Sequence, residues 1–248
     1  MGKLENQSIL EIICNDSDEL LKQNLRELLI TICYGKEQEE LELINFSETI
    51  EELNKRIESK TNNQKAGMIG ELLFHLKSFE ELKDYNHISV YLNKEERSVK
   101  KGFDVLLFDG KNIWYTEVKS RENADSDDIT EAHIAKLKEA INDVKEKFSG
   151  ENKNYWLSAK SNIANIESKE LKKQISDILT KDINTNVEKN AISVSTVFKS
   201  EISNIEEDKI KKVIEDEKDS FKNLAAICIS HEDYNKVIRV LKELENGT

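Results

Sequence analysis

Asp104, Glu117 and Lys119 are the side chains in this sequence whose types and spacing point to chemistry: two carboxylates and an amine on one β-hairpin. Phe103 to Phe108 and Ile113 to Val118 are runs of β-branched and aromatic residues, and Asp109-Gly110-Lys111-Asn112 between them is turn chemistry. A register that pairs Phe108 with Ile113 also pairs Leu106 with Tyr115 and Asp104 with Glu117. Directly opposed residues share a face, with Cβ atoms roughly 4.5–5.5 Å apart. Alternation along the strand brings Lys119 to the same face as Glu117.

Like charges opposed on a sheet repel, and a divalent cation offsets that repulsion. Mg²⁺ or Mn²⁺ suits such a pair, because hard cations take oxygen ligands and Mg²⁺ uses only one or two carboxylates, leaving room for water and phosphate oxygens. Lys119 would then orient an attacking water or stabilise charge developing on a phosphate. This is the residue set of a metal-dependent nuclease. The competing reading is an exposed cross-strand charge cluster. Glu-x-Lys is common in a chain that is 35% charged, recurring at Glu58-Ser-Lys60 and Glu81-Leu-Lys83 among other places. What distinguishes Glu117-Val-Lys119 is its place at the end of an apolar strand with an acid opposite.

The hairpin needs elements to position it. Gln64 to Glu80 reads as a helix, with Ala66, Ile69, Leu72, Leu73, Leu76 and Phe79 near helical spacing. Each interior glycine costs about 1 kcal/mol relative to alanine, so Gly67 and Gly70 on one side of it predict a close approach by another backbone or a substrate. Glu71 borders that side, either as a third acid of the site or as an ordinary solvated residue. Asp128 and Glu131 have capping-box spacing and open a helix to about Phe148, with Ile134, Leu137, Ile141 and Val144 on the side expected to meet the sheet.

Taken together, a helix bearing Gly70-Glu71, a strand, Gly102-Phe-Asp104, then Glu117-Val-Lys119 and a long helix resemble the PD-(D/E)xK, restriction-endonuclease-like core. More narrowly, Gly70-Glu-Leu-Leu-Phe-His75, Lys101-Gly-Phe-Asp104 and Trp114-Tyr-Thr-Glu-Val-Lys-Ser-Arg121 resemble HamA, the nuclease family of the bacterial Hachiman anti-phage system. No proline precedes the motif aspartate; Phe103 stands there. The resemblance implies an α/β fold with a mixed central sheet flanked by helices. It also implies Glu71, Asp104, Glu117 and Lys119 as catalytic residues, with Glu71, Asp104, Glu117 and the Val118 carbonyl as metal ligands. The implied activity is Mg²⁺- or Mn²⁺-dependent cleavage of DNA, with a HamB-like helicase as partner. A second reading is a nuclease-fold subunit that docks a helicase or senses DNA ends without cleaving.

Composition adds limits. The 37 basic and 49 acidic residues give a net charge of −12, which argues against a freestanding, avid DNA binder, since nonspecific affinity comes mainly from phosphate neutralisation. A partner or a local basic patch, with Lys100, Lys101, Lys119 and Arg121 as candidates, must deliver the substrate. Cys14, Cys33 and Cys228 are scattered in apolar runs and read as reduced core residues of a cytoplasmic protein. Among the dispersed histidines, His75 stands out only because it lies one turn after Glu71. No signal peptide is evident, and no apolar run approaches the roughly 20 residues of a membrane span.

The remaining chain reads as a strand at Ser8–Cys14, a helix or a helix running into a strand at Asp18–Cys33, a helix at Ser47–Ser59, and a polar linker at Lys60–Gln64. Residues 1–62 are thus expected as an addition packed on a nuclease-like domain, 63–248. After Phe148, Tyr155–Thr180 is mainly helical, with Tyr155-Trp-Leu157 open between strand and helix. Ala191–Phe198 and Leu224–Ser230 read as strands, and Asp208–Phe221 and Asp233–Leu244 as helices.

Overall fold

The computed structural model describes residues 4–40, 44–92, 102–122, 124–149, 154–163, 166, 168–184 and 188–247. Lys100 and Lys101 of the candidate basic patch lie outside these. The strands are β1 (Ile9–Cys14), β2 (Asn86–His87), β3 (Val105–Phe108), β4 (Ile113–Arg121), β5 (Asn190–Phe198) and β6 (Asn223–His231). They form one mixed sheet in the order β1-β6-β5-β4-β3-β2. β1, β6, β5 and β4 run parallel to one another, while β3 is antiparallel to β4 and β2 to β3. The parallel strands β5 and β6 are buried almost throughout, as strands covered on both faces are.

The hairpin register is the one its turn dictates: Phe108 lies opposite Ile113 and Leu106 opposite Tyr115. Gly110 has φ +90°, a conformation that favours glycine, and Asp109 Oδ1 accepts hydrogen bonds from the backbone N–H groups of Lys111 and Asn112 at 2.8 and 2.7 Å.

The helices are α1 (Asp18–Tyr34), α2 (Lys36–Glu40), α3 (Phe46–Glu58), α4 (Asn62–Glu81), α5 (Ile129–Phe148), α6 (Asn154–Asn162), α7 (Lys169–Asn184), α8 (Glu207–Glu215) and α9 (Tyr234–Asn246). α4 and α5 cover β4 and β5 from opposite faces. Phe74 of α4 packs with Trp114, Val118, Ile192 and Val194, while Leu137, Ile141 and Val144 of α5 pack with Ala191, Ala226 and Cys228. Asp128 caps α5 by accepting from Glu131 N at 3.1 Å. Residues 1–62 supply the edge strand β1 and helices α1 to α3, and the apolar faces of α1 and α3 share a cluster with α4 and α9.

Two segments resolve differently from their sequence pattern. Tyr155-Trp-Leu157, open between strand and helix, begins α6: Tyr155, Trp156 and Ala159 are buried and Leu157 is exposed, a helical spacing and not an alternation. α8 ends at Glu215, short of the expected Phe221. Phe221 is buried with Ile210, Val213 and Leu224 and has extended backbone leading directly into β6, which a helix continuing to that point would have no room to enter. The three cysteines are free and buried.

Candidate active site

Pairing between β3 and β4 stops at Val105 and Thr116, but β4 continues as Glu117 to Arg121 alongside Ser193 to Val197 of β5. No described strand pairs with the other side of that continuation. Glu117 and Lys119 alternate toward α5, as do their β5 neighbours Ser193 and Ser195, whose hydroxyls reach the Leu137 carbonyl (3.0 Å) and His133 Nδ1 (2.7 Å) of α5. A cleft of about 460 Å³ opens here. Glu71, Asp104, Glu117 and Lys119 all line it, together with Tyr91, Asp143, Lys147, Tyr155, Ser158 and Asn162.

Glu71 reaches the cleft from α4, in the layer opposite α5. The glycine before it explains how α4 comes so near. A Cβ on Gly70 would lie 2.0 Å from Ser120 Oγ and 3.1 Å from Thr196 Cβ, so the close approach expected at that position is made by β4 and β5 side chains. Gly67 has open space around it and no such role. Gly102 has a comparable function before the motif aspartate: a Cβ there would lie 2.5 Å from Ser158 Oγ, so α6 rests directly on the loop that delivers Asp104.

The two motif carboxylates hold each other through the backbone. Val118 N–H donates to Asp104 Oδ2 at 2.8 Å, and Asp104 N–H donates to Glu117 Oε1 at 3.3 Å. Glu117 also receives the ammonium of Lys147, which in turn donates to the Gly102 carbonyl at 2.7 Å. Lys119 forms its ion pair with Asp143, and Arg121 with Asp127.

Electrostatics make the cleft hungry for positive charge. Burial, followed by the charges of Asp104 and Glu117, holds the Glu71 carboxyl well above the usual range. Burial also raises Asp104, against the opposing pull of Lys147 and the Val118 N–H. Glu117 is pushed up to about 8 by burial and by Asp104, although Lys147 works the other way. Burial alone would lower the Lys119 ammonium, but its hydrogen bond to Asp143 and the charges of Asp143, Asp104 and Glu117 together outweigh that and raise it. Three carboxyl groups that resist ionising together are what a bound cation would relieve.

The donor set fits a Mg²⁺-like ion. Asp104 Oδ1 and Glu117 Oε2 receive no hydrogen bond from a described residue, and both are hard oxygens. Among the described residues, no three His, Cys, Asp or Glu side chains form a ready-made cage. Mg²⁺ does not need one, since it keeps most of its waters and takes one or two carboxylates.

His75, one turn beyond Glu71, points elsewhere. It is buried against Phe74, His87 and Tyr91 and lines a separate pocket of about 350 Å³ with Phe79 and Tyr85. Asp143 and Lys147, absent from the sequence reading, are residues that α5 adds to the cleft, together with Glu146. The signal for Asp143 and Lys147 is a charged i, i+4 pair beside the stripe of Leu137, Ile141 and Val144.

No curated protein and no solved structure shows a significant match to the chain. One family model does match, that of HamA, over residues 4–244.

Proposed function

The chain belongs to the HamA family of Hachiman anti-phage defence, and on that premise we propose that it is a DNA-cleaving effector of the PD-(D/E)xK type, dependent on Mg²⁺ or Mn²⁺. The observation that carries this reading is the mutual bracing of Asp104 and Glu117 in a cleft that also holds Glu71 and Lys119. Asp104 and Glu117, with the Val118 carbonyl, would hold the ion. When bound it would supply Lewis-acid activation of water and neutralise the scissile phosphate.

The chain's own residues account for the rest. The Val118 N–H fixes Asp104, and the Asp104 N–H with Lys147 fixes Glu117, so both acceptors are preorganised. Lys119 is 28% exposed and its partner Asp143 41%, so its ammonium can turn from Asp143 to a phosphate oxygen or an attacking water at little cost. Glu71 stands on the opposite wall, where it would orient a second water or ion. Tyr91 and Tyr155 add aromatic walls to the cleft.

A net charge of −12 supports reliance on a partner, and a HamB-like helicase that translocates on DNA fits that need. The test is cleavage of linear and circular DNA by the chain alone and with the helicase encoded beside it, at physiological salt and millimolar Mg²⁺. The expected result is weak cleavage alone, strong cleavage with the helicase and none in Glu117→Ala. Full, salt-resistant activity of the isolated chain would remove the partner from the mechanism, and activity in Glu117→Ala would remove the site. A carboxylate-bearing subunit that docks the helicase without cutting would show binding to the helicase and no metal-dependent products under any of these conditions.

A further inference from the structure

β4 and α5 each bring an acid and a base that meet in the cleft, Glu117 and Lys119 on the strand and Asp143 and Lys147 on the helix, with Glu146 a further acid of α5 on its wall. The four pair crosswise, Glu117 with Lys147 and Lys119 with Asp143. The two pairs differ in kind. Lys119 and Asp143 are open to water, whereas the side chains of Glu117 and Lys147 are 1% and 10% exposed. Lys147 is further fixed by the Gly102 carbonyl at 2.7 Å and by the rings of Phe103 and Tyr155, each with its centroid 5.6 Å from Nζ. An ammonium held from four directions in a buried setting is a cation positioned by the fold.

The oxygen it occupies matters. Lys147 takes Glu117 Oε1, the same atom that receives the Asp104 N–H, and so neutralises the carboxylate at the centre of the site. The geometry points to Lys147 as a tethered counter-cation that competes with the divalent ion for Glu117. It keeps that buried carboxylate in place when no ion is bound and lowers the affinity of the site for metal, so that Lys147, and not the motif lysine Lys119, sets the metal concentration at which the site fills. This rests on Glu117 being a metal ligand, as proposed above.

Two opposite effects of one substitution follow. Without metal, Lys147→Met leaves a buried carboxylate uncompensated, which destabilises the fold. With metal, the same change removes the competitor. Mn²⁺ binding measured by titration calorimetry, with no nucleic acid present, should be roughly tenfold tighter or more in Lys147→Met than in wild type. The melting temperature should be lower without Mn²⁺, and the rise on adding Mn²⁺ larger. Lys145→Met removes the same charge from the same helix turn, but Lys145 pairs with Glu217 away from the cleft, so its Mn²⁺ affinity should stay at the wild-type value. Lys147→Arg keeps the charge and offers Glu117 a two-pronged donor, so it should fold and bind Mn²⁺ severalfold more weakly. Affinity in Lys147→Met equal to or below wild type, an equal gain in Lys145→Met, or unchanged or tighter binding in Lys147→Arg overturns the inference. Absence of Mn²⁺ binding in wild type overturns instead the metal reading of the whole site.

Discussion

Asp104 and Glu117 are tied to each other by two backbone hydrogen bonds that cross: the carboxylate of Asp104 accepts from the N–H after Glu117, and the carboxylate of Glu117 accepts from the N–H of Asp104. Each acid thus serves as part of the scaffold for the other, and substitutions should separate the scaffold role from the chemical one.

Asp104→Ala leaves the Val118 N–H without its acceptor, which should cost about 1–3 kcal/mol in urea denaturation. Asp104→Asn keeps an acceptor oxygen and should lose less stability. DNA cleavage should vanish in both. An Asp104→Asn protein that cuts at the wild-type rate would refute the assignment of Asp104.

Lys119→Met should behave in the opposite way. Its ion pair with Asp143 is solvent-exposed and worth about 0–1 kcal/mol, so the denaturation midpoint should scarcely move. Cleavage with the helicase present should fall by a factor on the order of 10² or more. If the variant retains activity, the Glu-Val-Lys triplet is a surface feature only.

The two glycines of α4 should part company. Gly67→Ala has open space and should be neutral or stabilise by up to about 1 kcal/mol through helix propensity. Gly70→Ala drives a methyl into Ser120 and Thr196 and should cost about 1–3 kcal/mol while moving Glu71. Equal midpoints for the two variants in urea would contradict this packing.

His133 is buried between Ser195 Oγ at 2.7 Å and Ser230 Oγ at 3.0 Å, and burial lowers its pKa from 6.5 to about 4. The unfolded chain therefore binds a proton between these values that the folded protein does not. The contribution of neutral His133 is fully present above pH 6.5 and is lost as the pH falls toward 4, by roughly 3 kcal/mol at most. His133→Asn should lack that slope, so the difference in stability between wild type and variant should shrink on acidification. A constant difference from pH 7 to pH 4 would show that His133 does not titrate with folding.

Much of the architecture is legible in the sequence because it is set by local chemistry. The hairpin register follows from Asp109-Gly110, the start of α5 from Asp128, β5 from the alternation of Ile192, Val194, Thr196 and Phe198, and β6 from its short apolar run. The approach of Asp104 to Glu117 is a consequence of the register and so is legible too. Less visible is what depends on packing across layers. Nothing local marks Lys147 as the partner of Glu117, since a lysine in the last turn of a helix is ordinary helix chemistry. The early end of α8 is decided by the burial of Phe221, and the helical start of α6 by the docking of Trp156 on Phe103 and Tyr115. The separation of His75 from Glu71 likewise depends on which neighbours each side of α4 meets.

Ile9 lies beside Ala226 in the finished sheet, and α1 and α3 share their apolar cluster with α9. β1 is made long before β6, so the earlier segment waits for its neighbour while the rest of the sheet is synthesised. Such long-range parallel pairing forms slowly and late. A polypeptide interrupted before Asn223 would carry Glu71, Asp104, Glu117 and Lys119, yet it would lack the strand that joins β5 to β1. A closed parallel sheet is then withheld from nascent and broken chains until β6 is made, because that strand alone joins β1 to β5.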